Sequence, residues 1–322
     1  MTILVTGGAG YIGSHFVRHL ERSKIDYVIV DNFSTGHKDF VRNKKFFEID
    51  LRNYEDLDTQ LKKLDFSAIV HFAGLSVVSD SQIKVKDYFE NNVEASKNLA
   101  KFALKKKIKK FIFSSSAAVY GAPDLIPIKE NHPANPINNY GKNKLETENI
   151  LKKLSMEFSL DVVCLRYFNA AGADEAGDLG EKRNPETHLI PNVIKSALGS
   201  NELTVNGNDY KTHDGTCVRD YIHVNDLANA HLLALKFIEQ KKGFHIFNLG
   251  SEKGFSVMEI IKECEKLMKL KINFRIGSAR DGDPDVLIAD ASKAIDKLGW
   301  VAEKNSLEAI ISSAINYHEN VE

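Results

Sequence analysis

Thr2-Ile3-Leu4-Val5-Thr6-Gly7-Gly8-Ala9-Gly10-Tyr11-Ile12-Gly13 is the stretch that decides the fold. Its apolar run predicts a β-strand, and Gly8-Ala9-Gly10-Tyr11-Ile12-Gly13 behind it fits G-x-G-x-x-G. Between a strand and a helix, such glycines allow a tight turn, close approach of backbone to a pyrophosphate, and close helix–strand packing. The following helix offers its N-terminal amides and positive dipole end to phosphate. Many glycine turns match the bare pattern; placed after Ile3-Leu4-Val5 it reads as a dinucleotide site, with Gly7, Gly10, Tyr11, Ile12 and Gly13 as its loop.

Asp31 ends the second predicted strand, eighteen residues after Gly13. A carboxylate there accepts from ribose hydroxyls and repels a 2′-phosphate, favouring NAD over NADP; the plainer reading is a turn residue in Asp31-Asn32. Asp50 ends the third strand, either to contact adenine or to cap the helix after Arg52-Asn53. In His71-Phe72-Ala73-Gly74 the small residues let backbone approach the cofactor, although a strand-end turn would use the same glycine.

Strands are predicted at Thr2–Thr6, Tyr27–Asp31, Lys45–Asp50, Ala68–Phe72, Lys110–Ser114 and Asp161–Tyr167. Helices are predicted between them at Gly13–Arg22, Tyr54–Leu64, Tyr88–Lys106 and Tyr140–Phe158. Apolar strands alternating with helices indicate an α/β fold, a Rossmann-type doubly wound parallel sheet. Ligands bind such a sheet beyond the carboxyl ends of its strands. After Tyr167 the alternation weakens. Helices at Leu189–Leu198, Asn225–Glu239, Ser256–Leu270 and Leu307–Tyr317, with strands at Leu203–Val205, His245–Leu249 and Ile272–Ile276, suggest a smaller mixed α/β substrate domain. The expected division is 1–168 and 169–322, a soft boundary with segments free to return to the first domain. Asn169–Pro185 reads as irregular.

The chain has 322 residues, 43% of them hydrophobic and 27% charged, with a formal net charge of −1. That balance excludes the basic excess of a nucleic-acid surface. The basic run Lys105–Lys110 reads as a solvated helix end. Three scattered cysteines argue against a disulfide framework and a zinc site, so no metal is expected, and they suit a reducing compartment. With neither a signal peptide nor a membrane-length apolar segment in view, cytoplasm is the expected location.

Downstream of the serine cluster Ser114-Ser115-Ser116, Tyr140 and Lys144 stand four residues apart, on one helix face. A phenol keeps its proton up to about pH 10, and a neighbouring ammonium lowers that value. A tyrosine tuned in this way beside a nicotinamide can move a proton while the cofactor moves a hydride.

Many motifs in order, across nearly the whole chain, make the sequence resemble the extended short-chain dehydrogenase/reductases, and among them the enzymes that invert C4 of UDP-glucose. They include Phe72-Ala73-Gly74-Leu75, Asn91-Asn92-Val93, Ser114–Gly121, Tyr140-Gly141-Lys142-Asn143-Lys144, Leu165–Asn169, Gly207–Tyr210, Val218–Val224 and Asp290–Lys293. The resemblance implies Tyr140 as general base and acid, Lys144 on the nicotinamide ribose, and Ser116 on the reacting sugar oxygen. It implies a tightly bound NAD held by the glycine loop with Asp31, Asn32, Asp50, Leu51, Phe72, Ala73, Gly74, Asn91, Ser114, Tyr140, Lys144 and Phe168. A UDP-hexose would meet Ser116, Tyr140, Asn169, His188, Leu189, Thr204, Val205, Asn206, Arg219, Arg280, Asp283 and Leu287, with Arg219 and Arg280 on its diphosphate. Arg219-Asp220 also admits a plain local ion pair. The implied reaction has no net redox: a 4-keto sugar forms, turns over, and is reduced on its other face. A homodimer is implied as well.

Three positions depart from the pattern. Ser76 stands where relatives often carry lysine, and His188 and Asn206 replace residues more often asparagine and aromatic. Leu287 takes the place of a bulky tyrosine in some members, which suggests room for N-acetylated UDP-sugars, although a core leucine is equally plain. Two rivals stand beside this reading. A 4,6-dehydratase would need an acid/base pair just after the serines, where Ala117-Ala118-Val119 offers no carboxylate. A non-catalytic NAD sensor would have no use for a tuned phenol.

Overall fold

The computed structural model describes residues 2–199, 202–280 and 283–321. Its strands are β1 (Thr2–Thr6), β2 (Asp26–Asp31), β3 (Phe46–Glu48), β4 (Ala68–His71), β5 (Lys110–Ser116), β6 (Asp161–Tyr167) and β7 (Asn169–Ala171). They continue with β8 (Leu203–Asn206), β9 (Val218–His223), β10 (Phe244–Leu249), β11 (Gly254–Ser256), β12 (Phe274–Gly277) and β13 (Val286–Leu287). The helices of the first half are α1 (Tyr11–Arg22), α2 (Tyr54–Leu61), α3 (Val78–Ile83), α4 (Val85–Phe89), α5 (Ala95–Lys105) and α6 (Asn139–Phe158). Those of the second are α7 (Leu189–Ala197), α8 (Val224–Gln240), α9 (Val257–Met268), α10 (Ser292–Leu298) and α11 (Leu307–Val321).

Seven strands form one parallel sheet in the order β10-β6-β5-β4-β1-β2-β3. Alternate side chains supply two separate cores, because successive residues of a strand point to opposite faces. Ile3, Val5, Ile29, Val70, Ile112 and Val163 join Phe16, Val17 and Leu20 of α1 and Leu227 and Leu235 of α8. Leu4, Val28, Ile69, Phe111, Phe113 and Cys164 join Leu57 of α2, Leu99 and Phe102 of α5 and Leu151 of α6. Fully apolar strands are therefore covered on both sides, the arrangement expected of a parallel sheet.

The chain winds outward from β1 to β3 and then returns to lay β4 on the other side of β1. The crevice between the carboxyl ends of β1 and β4 is thus the topological switch point, where open α/β sheets bind ligands. Gly7 and Ala73 face each other across it.

Several elements differ from expectation. Tyr88–Lys106 is not one helix: α4 passes through a π-helical turn, Glu90–Glu94, into α5, and α3 precedes it. β3 is shorter than predicted, and the strand expected at Ile272–Ile276 is β12, shifted toward its C-terminal end. The short strands β7, β9, β11 and β13 were not anticipated. They form a second sheet in which β9 pairs with the other three. The basic run is partnered rather than simply solvated: Lys105 reaches Asp58 at 2.6 Å and Lys110 reaches Glu239 at 2.7 Å.

From the second half of the sequence, β10 extends the large sheet beside β6, and α8 packs on α1. A separate core of Ile190, Val193, Val205, Tyr221, Ile260, Ile261 and Ile310 joins α7, β8, β9, α9 and α11. Among the described residues, no helix is long and apolar enough to cross a membrane.

Candidate active site

At the switch point the glycines are sterically required. Gly7 has φ of +74°, and a Cβ there would lie 2.5 Å from the Ala73 nitrogen; one on Gly13 would lie 2.1 Å from the Gly7 oxygen. Gly10 caps α1 without a side-chain hydrogen bond, and the first turn carries no acidic residue. The first-turn amides of Tyr11, Ile12 and Gly13 lack intrahelical acceptors. A bare helix N-terminus over a cradle that any Cβ would fill fits a pyrophosphate.

Asp31 stitches this loop to the end of β2: it accepts from Ala9 N at 3.0 Å and Phe33 N at 2.8 Å. Burial lifts its carboxyl above the usual range against those two bonds. Both bonds fit the reading of Asp31 as a turn residue. Asn32 donates to Asp50 at 3.3 Å, and a two-pronged Arg52 holds the Asp50 carboxyl below its usual range. Asp50 does not cap α2. Asn53 does, accepting from Asp56 N at 3.1 Å. The Leu51 carbonyl accepts from Asn98.

Beneath the loop, His71 bridges Thr6 (2.7 Å) and Ser96 (2.8 Å), and Ser96 in turn donates to the Asn92 carbonyl. Burial, then the Lys144 charge, pulls the imidazole down to about 3, so it is neutral. Phe72 lies against Phe16 and His231. Gly74 must stay small, since a Cβ would meet the Asn92 amide oxygen at 2.8 Å.

Asn138 caps α6 by accepting from Gly141 N at 2.8 Å, and Ser81 accepts from Tyr140 N at 3.2 Å. One helical turn on, buried Lys144 donates to the Ser114 carbonyl at 2.7 Å, and the Ser114 hydroxyl meets His231 Nε2 at 3.0 Å. Ser116, at the end of β5, accepts from Ala118 N at 3.2 Å and acts on the Tyr140 phenol to oppose the effect of burial. The sequence thus brings phenol, hydroxyl and ammonium to one strand end.

The electrostatics differ from the expected tuning. Burial pushes the Tyr140 phenol above its ordinary value, and the opposing influences are Ser116 and the Arg183 guanidinium, in that order. Lys144 lies 5.7 Å from the tyrosine ring centre, and burial draws its own ammonium down to about 8 against the pull of Glu148. Desolvation disfavours the charged form of each group, so the pair rests as phenol and a weakened ammonium.

Asn91 donates back to the Asp87 carbonyl at 2.8 Å. Its neighbour Asn92 grips the loop after Gly74, accepting from Leu75 N at 2.8 Å and donating to Leu75 O at 2.9 Å. The Asn92 carbonyl also accepts from Thr147 of α6 at 3.0 Å. The π turn creates this anchor, a local feature that helical spacing does not foretell. Behind the serines, Glu148 accepts from Ser115 and from a two-pronged Arg166, all buried.

On the sugar side, Phe168 is buried and leads into β7. Register sets Asn169 opposite Tyr221 and Leu287 opposite Arg219 across the small sheet. Arg219 pairs with Asp283 at 2.7 Å, not with Asp220. Asp220 is buried and accepts from Ser251, Glu252 and Ala289, and burial lifts its carboxyl to about 6. Arg280 is exposed; its charge and that of Arg219 both act on Cys217. Thr204, Val205 and Asn206 lie on β8, with Thr204 accepting from Arg275. His188 precedes Leu189 at the start of α7 and contacts Glu181 at 2.6 Å.

Sequence reasoning missed Ser81, Asn92, Glu181 and Arg183. Asn92 was visible as the second asparagine of its motif. Arg183 sits in the stretch that read as irregular, where no periodicity marks a side chain.

A model of the NAD dependent epimerase/dehydratase family matches residues 3–250. A UDP-glucose 4-epimerase of Halalkalibacterium halodurans is 44% identical over 99% of this chain and 96% of its own length. The crystal structure of UDP-glucose 4-epimerase from Bifidobacterium longum in complex with NAD+ and UDP has a TM-score of 0.94 at 38% identity, covering 99% of this chain and 98% of that one. The UDP-Glc/GlcNAc 4-epimerase of Campylobacter jejuni has a TM-score of 0.87 at 38% identity, covering 99% of both.

Lys144 gives a signed pH prediction. Its folded value, about 8, lies below the ordinary 10.5, so between these pH values the unfolded chain binds more protons. Stability of the parent relative to Lys144→Met should rise with pH across that window and stay level below pH 8. Denaturant unfolding of both proteins at a series of pH values checks this; a constant difference would refute it.

Proposed function

Since the chain belongs to the NAD dependent epimerase/dehydratase family, we propose that it is an isomerase that inverts C4 of UDP-hexoses. It interconverts UDP-glucose and UDP-galactose through a transient 4-keto sugar. The observation that carries this is the convergence of Tyr140, Ser116 and Lys144 beside the glycine cradle at the switch point. NAD, when held by these residues, would supply a reversible two-electron acceptor for C4.

The chain's own residues handle the proton and the orientation. Tyr140, as phenolate, takes the proton of the sugar O4 and returns it to the opposite epimer. Ser116 holds that oxygen against the phenol. Lys144, fixed by the Ser114 carbonyl, would hold the nicotinamide ribose, and Asn91 and Phe168 would line the ring. The Gly7–Gly13 loop with the amides of α1 holds the pyrophosphate; Asp31, Asn32, Asp50 and Leu51 hold the adenosine end, and Phe72–Gly74 closes over it. Arg219 and Arg280 hold the UDP diphosphate, with Asp283 orienting the first. Asn169, His188, Leu189 and the β8 residues Thr204–Asn206 surround the uridine and sugar. A firm grip on the nucleotide leaves the keto sugar free to turn between its two faces.

The relation of Leu287 to Arg219 across β9 and β13 supports a role at the sugar. A leucine leaves room beside C2, so N-acetylated UDP-hexoses are also substrates. For oligomeric state, Ile83, Val85 and Phe89 on α3 and α4 are exposed, as are Met156 and Phe158 on α6. We propose a homodimer through these helices, whose apolar exposure is otherwise unexplained.

Purified protein should interconvert UDP-glucose and UDP-galactose without added cofactor, resolved by chromatography of the products. Tyr140→Phe should lose about 100-fold or more in kcat, the scale of general acid–base catalysis, while keeping its nucleotide; unchanged turnover would defeat the assignment. Leu287→Tyr should reduce UDP-GlcNAc turnover at least about tenfold and spare UDP-glucose, whereas an equal effect on both removes the selectivity role. Sedimentation should give a dimer that Phe89→Asp weakens; a parent monomer overturns that interface.

A further inference from the structure

Arg183 lies in the loop between β7 and α7, far in sequence from every residue of the cofactor cradle. Its Nε donates to Glu181 Oε1 at 2.7 Å, and one terminal nitrogen donates to Ser76 Oγ at 3.2 Å. Glu181 is buried and also receives His188 at 2.6 Å. One carboxylate therefore clamps a guanidinium and an imidazole from the sugar-side loop. Burial alone would raise the Glu181 carboxyl, but His188 and Arg183 hold it at about 2, so it remains an anion across the working range.

Ser76 opens the turn that seats Tyr140. The next residue, Val77, accepts from Ser81 N at 3.2 Å and from the Tyr88 hydroxyl at 2.6 Å. The Ser81 hydroxyl then accepts from Tyr140 N. Arg183 thus reaches across from the sugar-side loop to the segment that positions the reacting phenol.

Resting on the epimerase reading above, we propose that Arg183 is a positioning residue of the reaction. Clamped by Glu181 and tethered to Ser76, its guanidinium is a fixed cation from loop 172–188 that favours phenolate at Tyr140. Each partner registers the other. Ser116 and then Arg183 act against burial to lower Tyr140, while Glu181, Glu186 and Tyr140 raise Arg183. The further groups around the pair are Lys144, His188, Tyr11, Tyr88 and Tyr167. The tyrosines are neutral at working pH, and Lys144 is held by Ser114. An arginine keeps its proton under all working conditions, so its charge does not titrate away.

The test is the pH dependence of UDP-glucose to UDP-galactose turnover in holoenzyme. Activity rises with pH as Tyr140 ionises, so the acidic limb reports its value in the complex. Arg183→Met should move that limb upward by about one pH unit, an approximately tenfold loss at pH 7 that recovers as pH rises. Arg183→Lys should keep the limb where it is, and Ser76→Lys in the Arg183→Met background should bring it back. Ser76→Ala, which cuts the tether and leaves the Glu181 clamp, should move the limb part of the way; no movement counts against the tether. If Arg183→Met fails to fold, Arg183→Gln serves the same comparison. A loss of equal factor at every pH, with the limb unmoved, overturns the inference. Parent protein inactive on both UDP-hexoses would instead be a failure of the epimerase reading.

Discussion

Backbone meets backbone where Gly7 abuts Ala73, and the rest of the site is arranged around that contact. No side chain fits between the ends of β1 and β4, because a single Cβ on Gly7 would fall within 3 Å of three backbone atoms. The crevice therefore stays open to a ligand only while both loops stay bare. Its walls are held from behind by polar groups rather than by bulk. Asp31 fastens the glycine loop, and the chain Thr6–His71–Ser96–Asn92 ties β1, β4 and the π turn together. With His71 neutral, this relay adds no charge beneath the cofactor. Charge at the catalytic end comes from side chains on other elements.

Two of those charges come from opposite directions. Lys144 rises on α6 from the sheet side, and Arg183 enters from the loop before α7. Each has a buried carboxylate in its neighbourhood, Glu148 for the first and Glu181 for the second. Unpaired, a buried cation would be costly, by several kcal/mol. Glu148 is itself committed to Arg166 and Ser115, so its help to Lys144 is partial, and the ammonium is weakened. Glu181 serves Arg183 directly.

How much of this was legible follows from where periodicity reaches. The strands β1, β2, β4, β5 and β6 announce themselves because both faces are buried, leaving unbroken apolar runs such as Ala68–Val70 and Phe111–Phe113. β9 escaped notice because Arg219 and Asp220 interrupt it, yet both charges are satisfied from the flanking loops, by Asp283 and Ser251. β7, β11 and β13 have two or three residues each, too few for alternation to show. In the site, Tyr140 and Lys144 stood out by type and spacing, and Ser116 by the resemblance alone. Arg183 did not, because its role depends on a turn that crosses to Ser76, over a hundred residues away. Charge placed by tertiary geometry leaves no spacing in the chain. A cut at 168 likewise follows the loss of alternation, while α8 and β10 go back to the large sheet because its apolar face and edge still need cover.

The opposite effects of burial on an acid and a base then decide what the site requires. Removing water raises a phenol and lowers an ammonium, so a tyrosine–lysine pair enclosed alone drifts toward two neutral groups. With Lys144 near 8, its charge is already fading at the alkaline pH where phenolate would form without help. A guanidinium retains its charge throughout, and anchoring it to a carboxylate of low pKa keeps it in place while the sugar moves. The field proposed at Tyr140 therefore rests on the two contacts that fix Arg183, Glu181 at 2.7 Å and Ser76 at 3.2 Å.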